Sequence, residues 1–247
     1  MKKILASFVS ILLVATVATA QDWGGLINKG KDAIAAGSTG GGITQGDAAS
    51  AIKEALNKGI KEGVEKVSAP DGYLANAAIK ILMPKEAQVV ESGLRSIGQG
   101  ALVDRTISQM NHSAEQAAVK AAPIFVEAIK GLTITDALNI VNNQQQDAAT
   151  QFLKRTTTEQ LVVTFKPIIK TVLDETKTTA LWAEMMGVYN RIPFVSPVNS
   201  DLPDYVTRKA IDGLFYMIAV EEAKIRKDPA GQTSALIQKV FGSVVKK

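Results

Sequence analysis

Apolar residues recur at every third or fourth position from Ala48 to Val67, and lysine and glutamate fill most of the intervals between them. This period places the apolar side chains on one face of an α-helix. Small residues form a stripe within that face at Ala55, Gly59 and Gly63, so we expect a neighbouring helix to approach closely there. The pattern therefore predicts an amphipathic helix that packs against the core of the protein.

The helical period stops between residues 68 and 84. A Pro-Asp-Gly sequence at 70–72 is typical of a turn, and apolar residues then occupy alternate positions at Ile79, Ile81 and Met83. Such alternation is typical of an extended chain that buries one side. The sequence predicts an extended, packed connection over this segment.

Helical periodicity resumes after this connection and continues almost to the C-terminus. It predicts helices over residues 85–97, 102–121, 123–130, 135–142, 147–155, 158–175, 179–190, 204–227 and 231–241. Many of their ends carry capping signals. N-terminal caps are predicted at Thr133 with Asp136, Thr157 with Gln160, and Asp201 followed by Pro203, and C-terminal caps at Gly98, Gly131 and Gly242. Since no stretch is rich in strand signals, we predict an all-α fold with about ten helices in a single domain.

The first twenty residues have the three parts of a secretory signal peptide. Lys2 and Lys3 form the positive start, an apolar stretch runs from Ile4 to Val17, and small residues at 18–20 mark a cleavage site before Gln21. The alternative, a membrane anchor, requires about 20 apolar residues, and this stretch is shorter and interrupted by serine and threonine. We therefore predict export to the periplasm or the extracellular space, with no stable membrane insertion after cleavage of the signal at residues 1–20.

Eight glycines fall within residues 21–46, which predicts a flexible leader. A phosphate-binding loop is the alternative for a glycine-rich segment, but no strand precedes it and no Gly-Lys-Ser/Thr sequence ends it. We expect a single helical domain over 47–242 and a short C-terminal tail over 243–247.

The amino-acid composition excludes several kinds of functional site. It contains no cysteine, which excludes disulfides, thiol catalysis, thiolate metal sites and lipid attachment through an N-terminal cysteine. The net charge of +4 falls to +2 once the two lysines of the signal peptide are removed. Lysine and glutamate alternate along most segments, so no basic stripe is predicted and nucleic acid is not expected as a partner.

Three stretches of the chain together resemble a family of exported, helical bacterial proteins that is known only as a domain of unknown function. They read GLRSIGQGALVDRTISQMNHSAEQAA, TITDALNIVNNQQQDAATQFLKRTT and DYVTRKAIDGLFYMIAVEEAKIRKDPAGQTSALIQKVFG. The likeness runs from about Ile43 to Gly242. Such proteins often read Asn-Pro and Ile-Pro-Leu-Pro after the Asp-Gly turn, whereas this chain has Asn76-Ala77 and, at 81–84, Ile-Leu-Met-Pro. The resemblance implies a helical fold and export, but it implies no catalytic residue because the family has no known activity.

A column of polar residues lies beside the apolar seam of the helix predicted over 102–121. Asp104, Ser108, Asn111 and Glu115 are spaced so that their side chains share one face of that helix. The column could bind a ligand or, with acids from another helix, Ca²⁺ or Mg²⁺. It could equally hydrogen-bond a neighbouring helix or lie at the solvent boundary, and both interpretations stay open.

His112 is the only histidine of the chain. It follows Met110 of the apolar seam by two residues, which places it about 200° around the helix from that side chain. We therefore expect His112 to face solvent beside Arg105, Gln109 and Gln116, and we assign it no function.

Glu221 lies in line with apolar residues on the helix predicted over 204–227, so we expect it to be buried. A buried carboxylate is paired, hydrogen-bonded or protonated. The partners considered are Arg95, Arg155 and Arg191. A structural ion pair and an acid with a tuned pKa both remain open.

Other charged residues are explained by helix electrostatics. Asp147 suits the beginning of a helix and Lys154-Arg155 its end. Arg208 and Asp212, four residues apart, are expected to form a surface ion pair.

The sequence contains no His-Glu-x-x-His, Gly-x-Ser-x-Gly or phosphate-loop motif. We therefore predict an exported envelope protein that needs no cofactor, and we favour a binding function over an enzymatic one. Its partner is an unknown envelope protein or an apolar small molecule held between helices. Methionines available to line such a cavity are Met83, Met110, Met185, Met186 and Met217.

The alternative function is a carboxylate-based hydrolase acting on cell-wall glycan. Such an enzyme requires two acids some 5 to 10 Å apart, and Glu221 or Glu115 would supply one of them. The candidate ligand-binding residues are Asp104, Asn111, Glu115, Arg155 and Glu221.

Overall fold

The computed structural model describes most of the chain after residue 43. The described ranges are 44–143, 145–191, 193–194, 197–198, 201–228 and 234–245, with the backbone alone at 188 and 241–245. The predicted signal peptide, the leader up to residue 43 and the last two residues of the predicted tail lie outside these ranges. Within them the chain forms a single all-α domain, as the sequence predicts. None of its helices in these ranges has both the length and the apolar character that a membrane span requires.

Nine α-helices and one 3-10 turn make up the described part of the domain. A 3-10 turn, Lys85–Ala87, comes directly before the second helix. The helices are α1 Gln45–Ser68, α2 Gln88–Ser96, α3 Gly100–Ala118, α4 Ala121–Lys130, α5 Ile134–Asn142, α6 Ala148–Glu175, α7 Thr178–Tyr189, α8 Leu202–Lys227 and α9 Ala235–Val245.

Two predicted helix boundaries are wrong. The helices expected over 147–155 and 158–175 form one continuous helix, α6. Thr157, predicted as an N-terminal cap, is buried within it, and its hydroxyl donates to the Leu153 carbonyl at 2.7 Å. A threonine hydroxyl bonded in this way is satisfied inside a helix, so the sequence signal for a break was misleading. Gly242, predicted as a C-terminal cap, lies inside α9, which extends to Val245.

Other predicted caps are confirmed. The Thr133 hydroxyl accepts the Asp136 amide at 3.1 Å and the Asp136 carboxylate accepts the Thr133 amide at 3.1 Å, which is a capping box at the start of α5. Asp201 accepts the amide of Asp204 at 3.0 Å and begins α8. Gly98, just beyond α2, has a φ of +80°, a conformation that favours glycine at a helix end.

Helix α8 lies at the centre of the domain and packs mainly against α6, α1 and α3. The predicted small stripe on α1 is confirmed as the contact surface for α8. A β-carbon added to Gly63 would lie 3.2 Å from Cγ1 of Ile218 and 3.4 Å from its backbone nitrogen. The two helices therefore approach so closely that the site has no room for a larger side chain without movement.

The segment 69–84, which we call the connection, is packed, as predicted, but it is not extended throughout. Hydrogen bonds from the Ala75 amide to the Asp71 carbonyl at 2.9 Å and from the Lys80 amide to the Asn76 carbonyl at 2.8 Å close turns in its first part. Ile79, Ile81 and Met83 are buried, whereas Lys80 and Leu82 between them are exposed. The connection is therefore fixed to the core by alternate side chains although it forms neither helix nor strand.

The connection is also fixed to α8 by Tyr73. This side chain is fully buried, and its hydroxyl donates to the Ala210 carbonyl at 2.6 Å. The ring lies against Gly213, where an added β-carbon would come within 2.7 Å of Cε1 of Tyr73. Gly213 therefore provides the space into which the aromatic ring packs.

Candidate functional site

The polar column of α3 does not form a single site. Asn111 and Glu115 are buried, whereas Asp104 is exposed and bonds to Arg95 at 2.8 Å. Ser108 between them is half-buried. The column therefore extends from a surface ion pair into the core.

The buried end of the column binds the backbone of the connection. The Asn111 side-chain oxygen accepts the amide of Ile81 at 2.8 Å, and its nitrogen donates to the carbonyl of the same residue at 2.8 Å. Glu115 accepts the amides of Tyr73 at 3.1 Å and Leu74 at 3.4 Å. Of the two interpretations left open by the sequence, the structure supports bonding within the protein.

His112 is half-exposed, so the prediction that it faces solvent is correct only in part. Its Nδ1 atom lies 3.0 Å from Oε2 of Glu115. The histidine therefore covers the second oxygen of the carboxylate that holds the connection.

Glu221 is buried, as predicted, with 2% of its surface exposed. Its partners are lysines and none of the three arginines considered: Lys66 of α1 lies at 2.6 Å and Lys224 at 3.0 Å. Burial acts to raise the pKa of Glu221, but the hydrogen bonds from the two ammonium groups outweigh it and the pKa lies below its usual value. The contacts are those of a structural ion pair.

Arg155 is exposed on α6, with its guanidinium 5.6 Å from the centre of the Phe152 ring. Because α6 continues to Glu175, the prediction that Lys154-Arg155 ends a helix is wrong. Asp147 does come directly before α6, as predicted, and accepts a hydrogen bond from the Gln151 side chain at 2.8 Å.

The predicted pair between Arg208 and Asp212 is wrong. Arg208 bonds instead to Asp204 at 2.8 Å, four residues earlier, and Asp212 lies 3.9 Å from Lys154 of α6. Among the described residues, no group of three histidine or carboxylate side chains is placed to hold a metal ion. The five candidate ligand-binding residues are thus distributed over separate structural contacts.

A second buried ion pair, Glu222 with Arg226, was not identified from the sequence. Glu222 accepts the amides of Ala149 at 2.9 Å and Thr150 at 2.8 Å, and so caps α6 from a different helix. Arg226 donates to Glu222 at 2.9 Å and to the Ile140 carbonyl near the end of α5 at 2.9 Å. The spacing of four residues was visible in the sequence, but the role of the pair depends on contacts with two other helices.

The spaces around the domain include a small cleft and two surface grooves. The cleft, bounded by α1, α6 and α8, has a volume of about 20 Å³, which is enough for about one water molecule. The grooves have volumes of about 470 Å³ and 850 Å³, within the range of ligand pockets, but both are open to solvent and the smaller one is shallow.

The smaller groove, which we call the apolar groove, lies between α2, α3 and α7. It is lined by Val90, Leu94, Leu102, Leu181, Glu184, Met185 and Tyr189. No side chain of α2 is buried. Val89 at 68% and Ile97 at 71% are among the most exposed apolar residues described. Helix α2 therefore keeps part of its apolar surface uncovered by the other residues that the structure describes.

The larger groove, which we call the connection groove, lies between residues 78–86 and the outer face of α8. Helix α8 contributes Tyr205, Lys209, Asp212, Gly213 and Tyr216. The Tyr205 hydroxyl donates to the Leu82 carbonyl at 2.9 Å. Burial, with a smaller effect of the charge on Glu86, raises the pKa of Tyr205 to about 12. Tyr205 is therefore a neutral donor at physiological pH.

Comparison with known proteins gives a family match without a described activity. The family model described as "Protein of unknown function (DUF4197)" matches residues 42–242. No curated protein and no solved structure matches the chain.

Proposed function

The chain belongs to the DUF4197 family of proteins of unknown function, and we propose that it is an exported, non-enzymatic protein of the bacterial envelope that binds an apolar ligand in the apolar groove. Export is supported by the charged start, apolar stretch and small-residue cleavage site of residues 1–20. The family adds no activity to this argument, so the ligand class is inferred from the groove itself.

The observation that carries the proposal is the apolar side of α2, which the other described helices cover only in part. Val90 and Leu94 line the groove and are half-buried, and no side chain of α2 is fully buried. Covering apolar surface is favourable by about 25 cal/mol per Å². Exposed apolar surface that forms a concave site is therefore typical of a binding surface.

The lining also defines the chemistry of the ligand. Polar side-chain atoms come only from Glu184 and Tyr189 among the seven lining residues, so the groove suits a chain-like ligand with few polar groups. Met185 lines it as well, and a methionine side chain adapts easily to irregular apolar shapes. The other methionines suggested for a cavity, Met83, Met110, Met186 and Met217, are packed in the core.

No contact of the described residues favours the alternative hydrolase. Glu221 is paired with two lysines. Glu115 holds the amide of Tyr73 and contacts His112. Neither carboxylate lines either groove.

The proposal is tested by purifying the chain from Gln21 onward and identifying bound molecules by native mass spectrometry. The purified protein is then titrated with cis-parinaric acid, a fluorescent fatty acid. We expect Leu94→Glu to weaken binding about tenfold, because the ligand would have to remove a carboxylate from water.

The matched control is Val163→Glu, since Val163 is 74% exposed on α6 and lines neither groove. It should bind the fatty acid as the unchanged protein does. If no apolar molecule co-purifies and the fatty acid does not bind, or if both variants weaken binding equally, the proposal is wrong. If a protein partner co-purifies and Leu94→Glu abolishes its binding, the apolar groove binds that protein and the apolar-ligand proposal is wrong.

A further inference from the structure

The connection groove is a second site, and its walls are formed before any ligand arrives. One wall is the connection and the other is the outer face of α8, and Tyr205 joins the two through its hydrogen bond to the Leu82 carbonyl. The opposite side of the connection is anchored in the core by Ile79, Ile81 and Met83. Ligand binding therefore requires no segment of the protein to fold, and little free energy is lost in ordering the walls of the groove.

The backbone at Ile81 is extended. A single side-chain amide, that of Asn111, bonds both the N–H and the C=O of Ile81, each at 2.8 Å. One planar group can reach both atoms only when they point in the same direction, as they do in a β-strand. The Asn111 side chain thus takes the place of a neighbouring strand on the inner edge of the connection.

The outer edge of the same backbone faces the groove. Within a trans peptide unit the C=O and the following N–H point in opposite directions, so the Lys80 C=O and the Leu82 N–H point away from Asn111. The bond from Tyr205 to the Leu82 carbonyl agrees with this direction. The Lys80 N–H already donates to the Asn76 carbonyl at 2.8 Å. The Leu82 N–H and the Lys80 C=O have no hydrogen-bond partner among the residues that the structure describes. One residue of a parallel strand would bond both groups.

The connection groove carries more positive than negative side chains. Lys80, Lys85 and Lys209 line it, and none of the three forms an ion pair with another described residue. The two acids of the lining are Glu86 and Asp212, and Asp212 lies near a further lysine at 3.9 Å. The surroundings therefore favour a negatively charged ligand.

We propose that the connection groove binds an extended, acidic peptide segment of a partner protein, which pairs its backbone with Lys80 and Leu82 and places its carboxylates near Lys80, Lys85 and Lys209. This is strand addition to an exposed backbone edge, in which backbone bonds provide affinity and side chains provide selectivity. The Leu82 N–H and the Lys80 C=O, which no described residue bonds, favour a peptide over an anionic glycan because they match the spacing of peptide groups. The site is separate from the apolar groove, so either proposal can fail without the other.

The probe for this site is a capped, fluorescein-labelled peptide of ten residues in which glutamate and valine alternate, measured by fluorescence anisotropy. Three comparison ligands accompany it: the same peptide with lysine in place of glutamate, the glutamate peptide with N-methylated valines, and an alginate oligosaccharide as an anionic glycan. We expect the glutamate peptide alone to bind, and its affinity to fall as salt is added.

Leu82→Pro tests the backbone bond directly. Proline removes the Leu82 N–H, which has no partner among the described residues, and the two bonds from Asn111 to Ile81 are retained. Leu82→Ala is the matched control, because it removes the side chain and keeps the N–H. We expect Leu82→Pro to bind the glutamate peptide about 5- to 10-fold more weakly than Leu82→Ala, the effect of one backbone hydrogen bond.

A charge variant keeps the test informative if Leu82→Pro does not fold. Lys209→Glu should weaken binding of the same peptide about tenfold, whereas Lys61→Glu, exposed on α1 outside the groove, should leave it unchanged. Binding of the alginate instead of the peptide, equal binding of the lysine and glutamate peptides, or no peptide binding at millimolar concentration would overturn the proposal. So would equal affinities of Leu82→Pro and Leu82→Ala when both are folded.

Discussion

Single residues in this domain make their most important contacts with partners that are distant in sequence. Glu221 has one partner on its own helix, Lys224, and one on α1, Lys66, 155 positions earlier. Both lysines are partly exposed whereas the carboxylate is not. The Glu221 carboxylate therefore lies in the core, and the long side chains of Lys66 and Lys224 reach it from the surface.

We predict that Glu221→Gln lowers the free energy of unfolding by about 1–3 kcal/mol at pH 7, because the charge-assisted bonds to Lys66 and Lys224 are lost. The pKa of Glu221 is lowered in the folded protein from its usual value of 4.5. Its stabilising effect is therefore present above about pH 4.5 and is lost as the pH falls through the folded pKa.

Urea unfolding of the two proteins at pH 7 and pH 3 measures this effect. The difference between them should shrink at the lower pH, where the unchanged protein begins to lose the charge as well. Glu65→Gln is the control, because Glu65 is exposed on α1 and forms no ion pair with a described residue. A difference that is equal at both pH values would argue against the ionised pair.

At the scale of elements, the connection behaves as a fixed part of the fold although it is irregular. Two side chains of α3, Asn111 and Glu115, bind its backbone, and Tyr205 of α8 binds it from the other side. The alternating apolar residues predicted this packing. The sequence did not show whether the polar column of α3 bonds to the backbone of the connection or lines a cleft. The two arrangements require the same residue types at the same spacing.

We predict that Asn111→Ala lowers the free energy of unfolding by about 2–4 kcal/mol, because it leaves the backbone N–H and C=O of Ile81 without partners. Amide hydrogen exchange measured by mass spectrometry should accelerate at Ile81 more than in the centre of α8.

Asp104→Ala is the control on the same face of α3. Its partner Arg95 is exposed and the ion pair lies at the surface, so the expected change is within about 1 kcal/mol. A large effect of Asp104→Ala, or unchanged exchange in Asn111→Ala, would contradict the role assigned to Asn111.

Across the whole molecule, α8 joins the ends of other helices. Glu222 caps the start of α6, and Arg226 binds the end of α5. We predict that Glu222→Ala lowers the free energy of unfolding by about 3–5 kcal/mol, since it uncaps α6 and leaves the Arg226 charge buried without this carboxylate. Circular dichroism and tryptophan fluorescence should still report a single transition in urea.

Glu159→Ala, exposed on α6, should unfold at nearly the same urea concentration as the unchanged protein. Should Glu222→Ala instead split the unfolding into two transitions, α8 would not be coupling the helices as inferred.

The all-α class and most helix positions could be predicted from apolar periodicity, because each helix shows its own buried face. The single helix α6 could not, since Thr157 resembles a cap until its hydroxyl is seen to bond to Leu153. The partners of Glu221 and the role of Glu222 were also out of reach, because they depend on how α1, α6 and α8 are brought together. The two grooves are surfaces shared by several elements, so no single stretch of sequence indicates them.

The alternation within the connection also fixes its register. Ile79, Ile81 and Met83 enter the core at every second position, so removing one residue before Ile81 would direct Lys80 and Leu82 inward. The connection should therefore accept changes in length in steps of two residues. Such a register is usually imposed by a neighbouring strand, whereas here alternate burial and the two bonds from Asn111 impose it.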